Sequence, residues 1–297
     1  MLSDEEVKLY LRAGRIAGKS LLYGMEIIHE GMPVIELCEK IEGMIVKLGG
    51  QPAFPCNISI NDVAAHYTSP PDDDLTVPKG SLVKIDVGVH VNGYIADTAG
   101  TVAFRPEHER LMLASKKALE AALTAIKSGV SLGMIGTIIE RTARGYGFTT
   151  IRNLTGHKIK PWILHAGKSV PNVSTMTLER MKEGEVYAIE PFLTPGKGFV
   201  VEEDRTYIFS YAGGKAKGSK ERALLHAIWS HFRSLPFCER WLIKIAPENS
   251  DVLQALRRKR LLYEYPVLRE AGRGIVAQWE HTVIVTKKGS IVTTAIE

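Results

Sequence analysis

The chain has 297 residues, 45% of them hydrophobic and 24% charged, with a formal charge of +5, the balance of an ordinary globular protein with material for a core. It has no run of eighteen apolar residues, which excludes a helical membrane span, and the N-terminus MLSDEEVKLY lacks the apolar stretch of a signal peptide. Three cysteines without close spacing (Cys38, Cys56, Cys238) point to a reducing cytoplasm and no disulfide frame.

In chain order, Ser3 and Glu6 form a capping-box pattern that opens a helix over roughly 4–29. The stretch 28–49 reads as a helix end, a Gly break, a second helix with apolar periodicity and a closing Gly. Two apolar runs, Val83–Val91 and Tyr94–Phe104, flank Asn92-Gly93, a strong two-residue hairpin signal. A helical run over 106–128 follows, with Pro106 near its start.

Residues 126–147 then repeat the pattern of 28–49 at an offset of 98, so that Gly31 matches Gly129 and Gly49 matches Gly147. The likeness continues into strands. Gly80 matches Gly184, and six residues on, Asp86 matches Glu190. The chain therefore reads as two related halves. The expected fold class is α+β, with helix–helix–hairpin halves around a curved antiparallel sheet.

The Asn92-Gly93 turn fixes the first hairpin's register. If Val91 pairs with Tyr94, Asp97 faces Gly88 and Asp86 faces Ala99. Asp86 and Asp97 then share a face as diagonal neighbours, within ~7–8 Å at the backbone. Val83, Ile85, Val87 and Val89 take the other face. In the second half, the run ending at Glu190 finds its best partner in 274–286, which carries Glu280; by analogy Glu280 takes the position of Asp97. The interval 195–273 splits this hairpin. It holds a helix near 219–234, a strand-like run RWLIKIA and a helix near 250–260, and reads as a small helical insert, a winged helix being one form it could take. The expected domains are 1–194 with 274–297 as one unit and 195–273 as the inserted subdomain. Residues 201–273 hold 14 Lys/Arg against 9 Asp/Glu, the chain's whole formal excess.

Asp86, Asp97, Glu190 and Glu280 aimed into one hollow, with His157 after the tight-turn pair Thr155-Gly156, would repel one another unless cations sit there. Oxygen and nitrogen donors of this kind suit hard-to-borderline divalent ions. A two-metal site, in turn, suggests hydrolysis. His165 and His66 occupy corresponding loop regions and are suited to proton transfer and carbonyl polarisation.

The segments FPCNISINDVAAHYTSPPDDD, KIDVGVHVNGYIADTAGTV, NLTGHKIKPWILHAGKSVPN, AIEPF and AQWEHTVIV resemble methionine aminopeptidases of type 2, in a compact archaeal-like form, over essentially the whole chain. The resemblance implies the pita-bread fold and two divalent ions of Co, Mn, Fe or Zn. It implies that Asp86 chelates one ion, that His157 and Glu190 hold the other, and that Asp97 and Glu280 bridge both. Catalytic roles fall to His66, His165 and Glu190. Glu190 would take a proton from the attacking water, His165 would bond the carbonyl oxygen and His66 would meet the scissile amide nitrogen. Phe54, Pro55, Ile58, His165 and Tyr265 become candidates for the methionine pocket, with His66 also contacting substrate. The implied substrate is the initiator methionine of a nascent chain whose second residue is small.

Proline-specific peptidases of the same fold share the five-ligand pattern, and relatives that have lost ligands bind RNA or ribosomes; the intact ligand set argues against the latter. The run Arg257-Arg258-Lys259-Arg260 reads first as a solvated helix end and second as a ribosome contact. A cytoplasmic monomer that binds neither DNA nor membrane is expected.

Overall fold

The computed structural model describes residues 2–247 and 250–295. The first half comprises α1 (Asp4–Ile27), α2 (Val34–Lys47), β1 (Gln51–Pro52), β2 (Asn57–Ile60), β3 (Val63–Ala65), β4 (Leu82–Val91) and β5 (Tyr94–Ala103). The second repeats the order with α3 (Pro106–Ala125), α4 (Leu132–Gly145), β6 (Thr149–Thr150), β7 (Thr155–Ile159), β8 (Ser169–Pro171), β9 (Val186–Ile189) and β10 (Phe192–Thr194). An interruption follows: β11 (Val200–Tyr211), α5 (Ser219–Phe232), β12 (Phe237–Cys238), α6 (Glu239–Ile245), α7 (Ser250–Arg258) and β13 (Leu262–Glu270). The chain returns through β14 (Ala277–Gln278), β15 (His281–Val285) and β16 (Ser290–Val292).

Local signals act where the sequence puts them. The Ser3 Oγ accepts the Glu6 N–H at 3.3 Å, and Glu6 Oε2 accepts the Ser3 N–H at 2.8 Å, so α1 starts in a full capping box. Pro106 occupies the first turn of α3, where its missing N–H is not needed. Asn92 and Gly93 both have positive φ, 52° and 88°, as the two-residue hairpin turn requires. The matched glycines of the two halves also share a left-handed backbone: φ is 82° and 91° at Gly31 and Gly129, and 68° and 80° at Gly80 and Gly184.

The β4–β5 ladder pairs Asp86 with Ala99 and Gly88 with Asp97, the register expected from the turn. Val83, Ile85, Val87 and Val89 face a core shared with Leu21, Leu37 and Ile41 of α1 and α2. Each such side chain, fully buried, stabilises by roughly 1.5–3 kcal/mol. Leu119, Ile135 and Ile139 of α3 and α4 cover Tyr187 and Ile189 of β9 in the same way. Helices thus pack one side of the sheet and leave the other as a hollow.

In the second half, β9 lies between β7 and β15. The ladders pair Ile189 with His281 and Phe192 with Gln278, so Glu190 and Glu280 fall opposite one another in the gap between. This is a directly opposed pair, not the diagonal pair of the first half. Pro191 follows Glu190 and cannot donate a ladder hydrogen bond, which breaks the pairing there.

The two hairpins meet at a seam between β5 and the segment 278–282. A curved antiparallel sheet backed by two helix pairs results, the pita-bread arrangement. Among the described residues no helix is long and apolar enough to cross a membrane.

Between Thr194 and Ala277, β11 and β13 form a long antiparallel pair, and β13 continues onto β3. The strand-like run RWLIKIA is instead the helix α6. The reason is tertiary. Arg240 donates to Glu42 of α2 through Nη1 at 2.8 Å and Nη2 at 3.0 Å, and Trp241 Nε1 donates to Glu42 at 2.9 Å. These contacts tie the first turn of α6 to α2.

Candidate metal centre

Asp86, Asp97, His157, Glu190 and Glu280 all line one cavity of about 480 Å³ in the hollow of the sheet. Asp86 and Asp97 come from the β4–β5 hairpin. His157 stands on β7 in register with Ala188 of β9, two residues before Glu190. Its Nε2 lies 3.4 Å from Asp97 Oδ2 and 3.6 Å from Glu190 Oε1. Donor atoms of Asp97, His157 and Glu280 fall within 4.8 Å of one another.

Neighbouring groups fix these positions. Asn172 Nδ2 donates to the backbone oxygen of Glu190 at 3.0 Å. Gln278 Nε2 donates to Glu280 Oε2 at 3.1 Å. Gly88, opposite Asp97, has no room for a side chain, since a Cβ there would meet the Phe54 ring at 2.2 Å. Lys84, fully buried on the same face as Asp86, donates to Val276 O at 2.8 Å and Asn61 O at 3.1 Å and so ties the strand to the segment entering β14.

The electrostatics explain why this cluster needs a cation. Burial, then the charge of Asp97, raises the Asp86 carboxyl well above the ordinary range. Burial pushes Asp97 up to about 7. Burial and the neighbouring acids raise Glu190 and Glu280 likewise. Burial lowers His157 to about 4, leaving a neutral imidazole. Asp86 Oδ1, Asp97 Oδ1 and Glu280 Oε1 are buried and have no hydrogen-bond partner among the described residues. Each orphaned oxygen costs about 1–3 kcal/mol. Divalent cations would satisfy them, and the donor set of four carboxylates and one neutral imidazole fits such ions.

His66, His165, Phe54 and Tyr265 line the same cavity. The His66 Nδ1 is 3.2 Å from Pro266 O, and its ring meets Tyr265 edge-on at 5.8 Å. Burial lowers its pKa to about 4. His165 stands at the mouth with one side open, its ring 4.4 Å from His157 and 6.4 Å from Tyr265. Loss of water around the ring, and then the charge of His157, lower its pKa.

Two expected pocket residues lie elsewhere. Ile58 packs into the core behind the sheet with Ile41 and Ile85. Strand alternation is the cause: Asn57, paired with Asp86, turns to the cavity, and Ile58 turns away. Pro55 is buried beside it and does not line the cavity. Sequence reasoning missed Asn57, Leu164, Phe192, Ile208 and Leu268 as lining residues. No turn fixes the register of β2, and Ile208 and Leu268 come from β11 and β13, whose placement over the hollow has no local signal.

Half of the basic run at 257–260 is engaged internally. Arg257 pairs with Glu264 at 2.8 Å and lies over the Phe209 ring at 5.1 Å, and Lys259 pairs with Glu221 at 2.6 Å. Arg258 and Arg260 are exposed.

A family model for metallopeptidase family M24 matches residues 8–287. The chain is 43% identical to the methionine aminopeptidase of Methanothermobacter thermautotrophicus, over 97% of this chain and 98% of that one. It is 44% identical to the methionine aminopeptidase of Pyrococcus abyssi, over 97% and 99%. Solved structures show the same fold. A thermophilic Arx1 superposes with a TM-score of 0.86 at 17% identity, covering 100% of this chain and 92% of that one. The methionine aminopeptidase of Thermotoga maritima gives 0.74 at 20%, covering 99% and 98%. The prolidase of Pyrococcus furiosus gives 0.63 at 18%, covering 99% of this chain and 65% of that one. The chain belongs to metallopeptidase family M24, and within it to the methionine aminopeptidases.

Proposed function

We propose that the chain removes the initiator methionine from nascent polypeptides whose second residue is small. The observation that carries this reading is the convergence of five donors, three of them with orphaned buried oxygens, on one cavity with an apolar side. Asp86, Asp97, His157, Glu190 and Glu280 would hold the two divalent ions, of Co, Mn, Fe or Zn. Those ions, when bound, supply Lewis acidity and a water nucleophile of lowered pKa.

The protein's own groups do the rest. Glu190 accepts the proton of the attacking water. His165, at the mouth, donates to the carbonyl oxygen, and His66, held by Pro266 O, faces the scissile amide. Phe54 and Tyr265 bound the slot for the thioether side chain, which favours apolar and aromatic walls.

The split of Glu190 from Glu280 by the 195–273 segment supports a type 2 assignment and the two-part domain division. The family and the three free, buried cysteines, which suit a reducing compartment, support a cytoplasmic location, and the protein is proposed to work as a monomer. The exposed Arg258 and Arg260 are the residues of the basic run left for a ribosome contact.

A peptide panel separates this reading from a proline-specific one. Met-Ala-Ser, Leu-Ala-Ser and Ala-Pro-Ser are incubated with the Mn-loaded protein. Release of methionine alone supports the proposal. Cleavage of the Pro peptide in preference would replace it.

A further inference from the structure

The His165 ring makes no side-chain hydrogen bond among the described residues, so its orientation depends on the loop that carries it. Two backbone bonds close that loop at its base: Ala166 N–H donates to Lys158 O at 2.7 Å and Lys158 N–H to Lys168 O at 2.8 Å. At its tip Lys160 and Ile163 exchange backbone bonds of 3.0 and 2.9 Å, making a tight turn with Trp162 inside it.

Trp162 is gripped from several sides. Its backbone N–H donates to Gly93 O at 2.8 Å. Its indole lies directly over Gly93, where a Cβ would come within 2.1 Å of Nε1. The His90 ring packs against it at 4.8 Å, and His90 Nδ1 accepts the Gly93 N–H at 3.2 Å. From the other side come residues of the 195–273 segment. The Arg233 guanidinium sits 4.9 Å over the indole, and Ser234 Oγ donates to Trp162 O. Leu235 joins Leu164 and Phe54 in one buried cluster, and Pro236 reaches the cavity wall.

Trp162 itself has φ of 63°, and Arg233 has 52°. A bulky residue in the left-handed region is uncommon and persists only where its surroundings over-determine it. Here three separate parts of the chain do so: the hairpin tip, the His165 loop and the segment after α5.

We infer that Trp162 is a positioning residue that couples the 195–273 segment to His165, holding the imidazole at the place where a substrate carbonyl is met. The proposal rests on the function proposed above. Small misplacement of a reacting group is enough to matter, since about 1 Å can cost on the order of 100-fold in rate.

The test uses the full chain with Trp162→Ala, Trp162→Tyr and Arg233→Ala. Methionine release from Met-Ala-Ser is measured for kcat and KM, bound metal is counted, and amide exchange is followed over 160–168. Trp162→Ala should lower kcat by about 10–100-fold, with KM within about three-fold, bound metal unchanged and exchange at 160–168 accelerated. Trp162→Tyr should restore most of kcat, and Arg233→Ala should fall between. A kcat within about two-fold of wild type in Trp162→Ala would overturn the inference, as would a loss that runs parallel to metal content and melting temperature. If the wild-type protein releases no methionine, the proposed function fails on its own. The exchange data then decide, and unchanged protection at 160–168 in Trp162→Ala removes the coupling.

Discussion

Ala99 and Glu280 exchange backbone hydrogen bonds across the centre of the molecule, Glu280 N–H to Ala99 O at 3.0 Å and Ala99 N–H to Glu280 O at 3.4 Å. They lie on hairpins from opposite halves of the chain, 181 positions apart in sequence. Around this single bridge, threonines stand in for a regular ladder. Thr282 Oγ1 accepts the Asp97 N–H at 2.7 Å and donates to Asp97 O at 2.8 Å, and Thr98 Oγ1 donates to Glu280 O at 2.8 Å. The two acids assigned to both ions are thus joined through the seam itself. The halves cannot slide without separating Asp97 from Glu280.

Gly88→Ala should damage both stability and pocket. The new methyl group overlaps the Phe54 ring, so either the ring or β4 must move. Overpacking of this kind costs about 1–3 kcal/mol. Denaturant melts should show that loss, and KM for Met-Ala-Ser should rise because Phe54 lines the cavity. A variant with wild-type stability and KM would mean that Phe54 has free space behind it.

Arg240 and Glu42 form a buried ion pair between α6 and α2, with relative exposures of 4% and 8%. Arg240→Met leaves a buried carboxylate that retains only its Trp241 and backbone donors. Unfolding free energy should fall by about 3–5 kcal/mol. The double variant with Glu42→Leu should recover a large part of it, as urea melts would record. Equal loss in the single and double variants would contradict this.

The parts of this architecture that were legible in the sequence are those with a local determinant. The Asn92-Gly93 turn set the register that brings Asp86 and Asp97 together, and the matched glycines exposed the duplication. The pairing of Glu190 with Glu280 was readable only in outline. The analogy gave Glu280 the position of Asp97, whereas the register continuing from Ile189–His281 to Phe192–Gln278 sets the two acids directly opposite one another. The run RWLIKIA has the β-branched and aromatic content of a strand, yet it is a helix whose first turn is anchored on Glu42, some two hundred positions away, through Arg240 and Trp241. Ile58 failed as a pocket residue for want of a register signal in β2. Trp162 lies within a quoted segment, but no local signal marks its role; its partners come from its own loop and two distant segments, the β4–β5 hairpin tip and the stretch after α5.

Glu185 gives a pH dependence outside the candidate centre. It accepts from Lys158 Nζ at 2.7 Å, Lys168 Nζ at 2.9 Å and Tyr187 Oη at 2.6 Å. Despite burial, these donors lower its pKa to about 2. A depressed folded pKa stabilises the protein above the unfolded value of about 4.3, and that contribution is lost as pH falls towards 2. Glu185→Gln should lower unfolding free energy by about 1–2 kcal/mol at pH 7 after screening. The gap from wild type should close between about pH 4.3 and 2. A gap that stays constant over this range would argue against the assignment.

Metal uptake should release protons. With Asp97 near 7 and Asp86, Glu190 and Glu280 raised above the usual carboxylate range, the metal-free cluster holds protons at neutral pH that bound cations displace. Calorimetric titration with Mn(II) in two buffers of different ionisation enthalpy should give different heats. Apparent affinity should also rise from pH 6 to pH 8. Identical heats in both buffers would show that the acids are already ionised.

The most direct test is methionine release from Met-Ala-Ser by protein first stripped with chelator and then titrated with Mn(II), beside Glu280→Ala. Activity should be absent in chelator and return as metal binds. The variant should lose at least about 100-fold, because removing mere supporting groups around a metal already costs 10–100-fold. Full activity in chelator, or a variant as active as wild type with the metal still bound, would contradict a reaction run by cations held on these five residues.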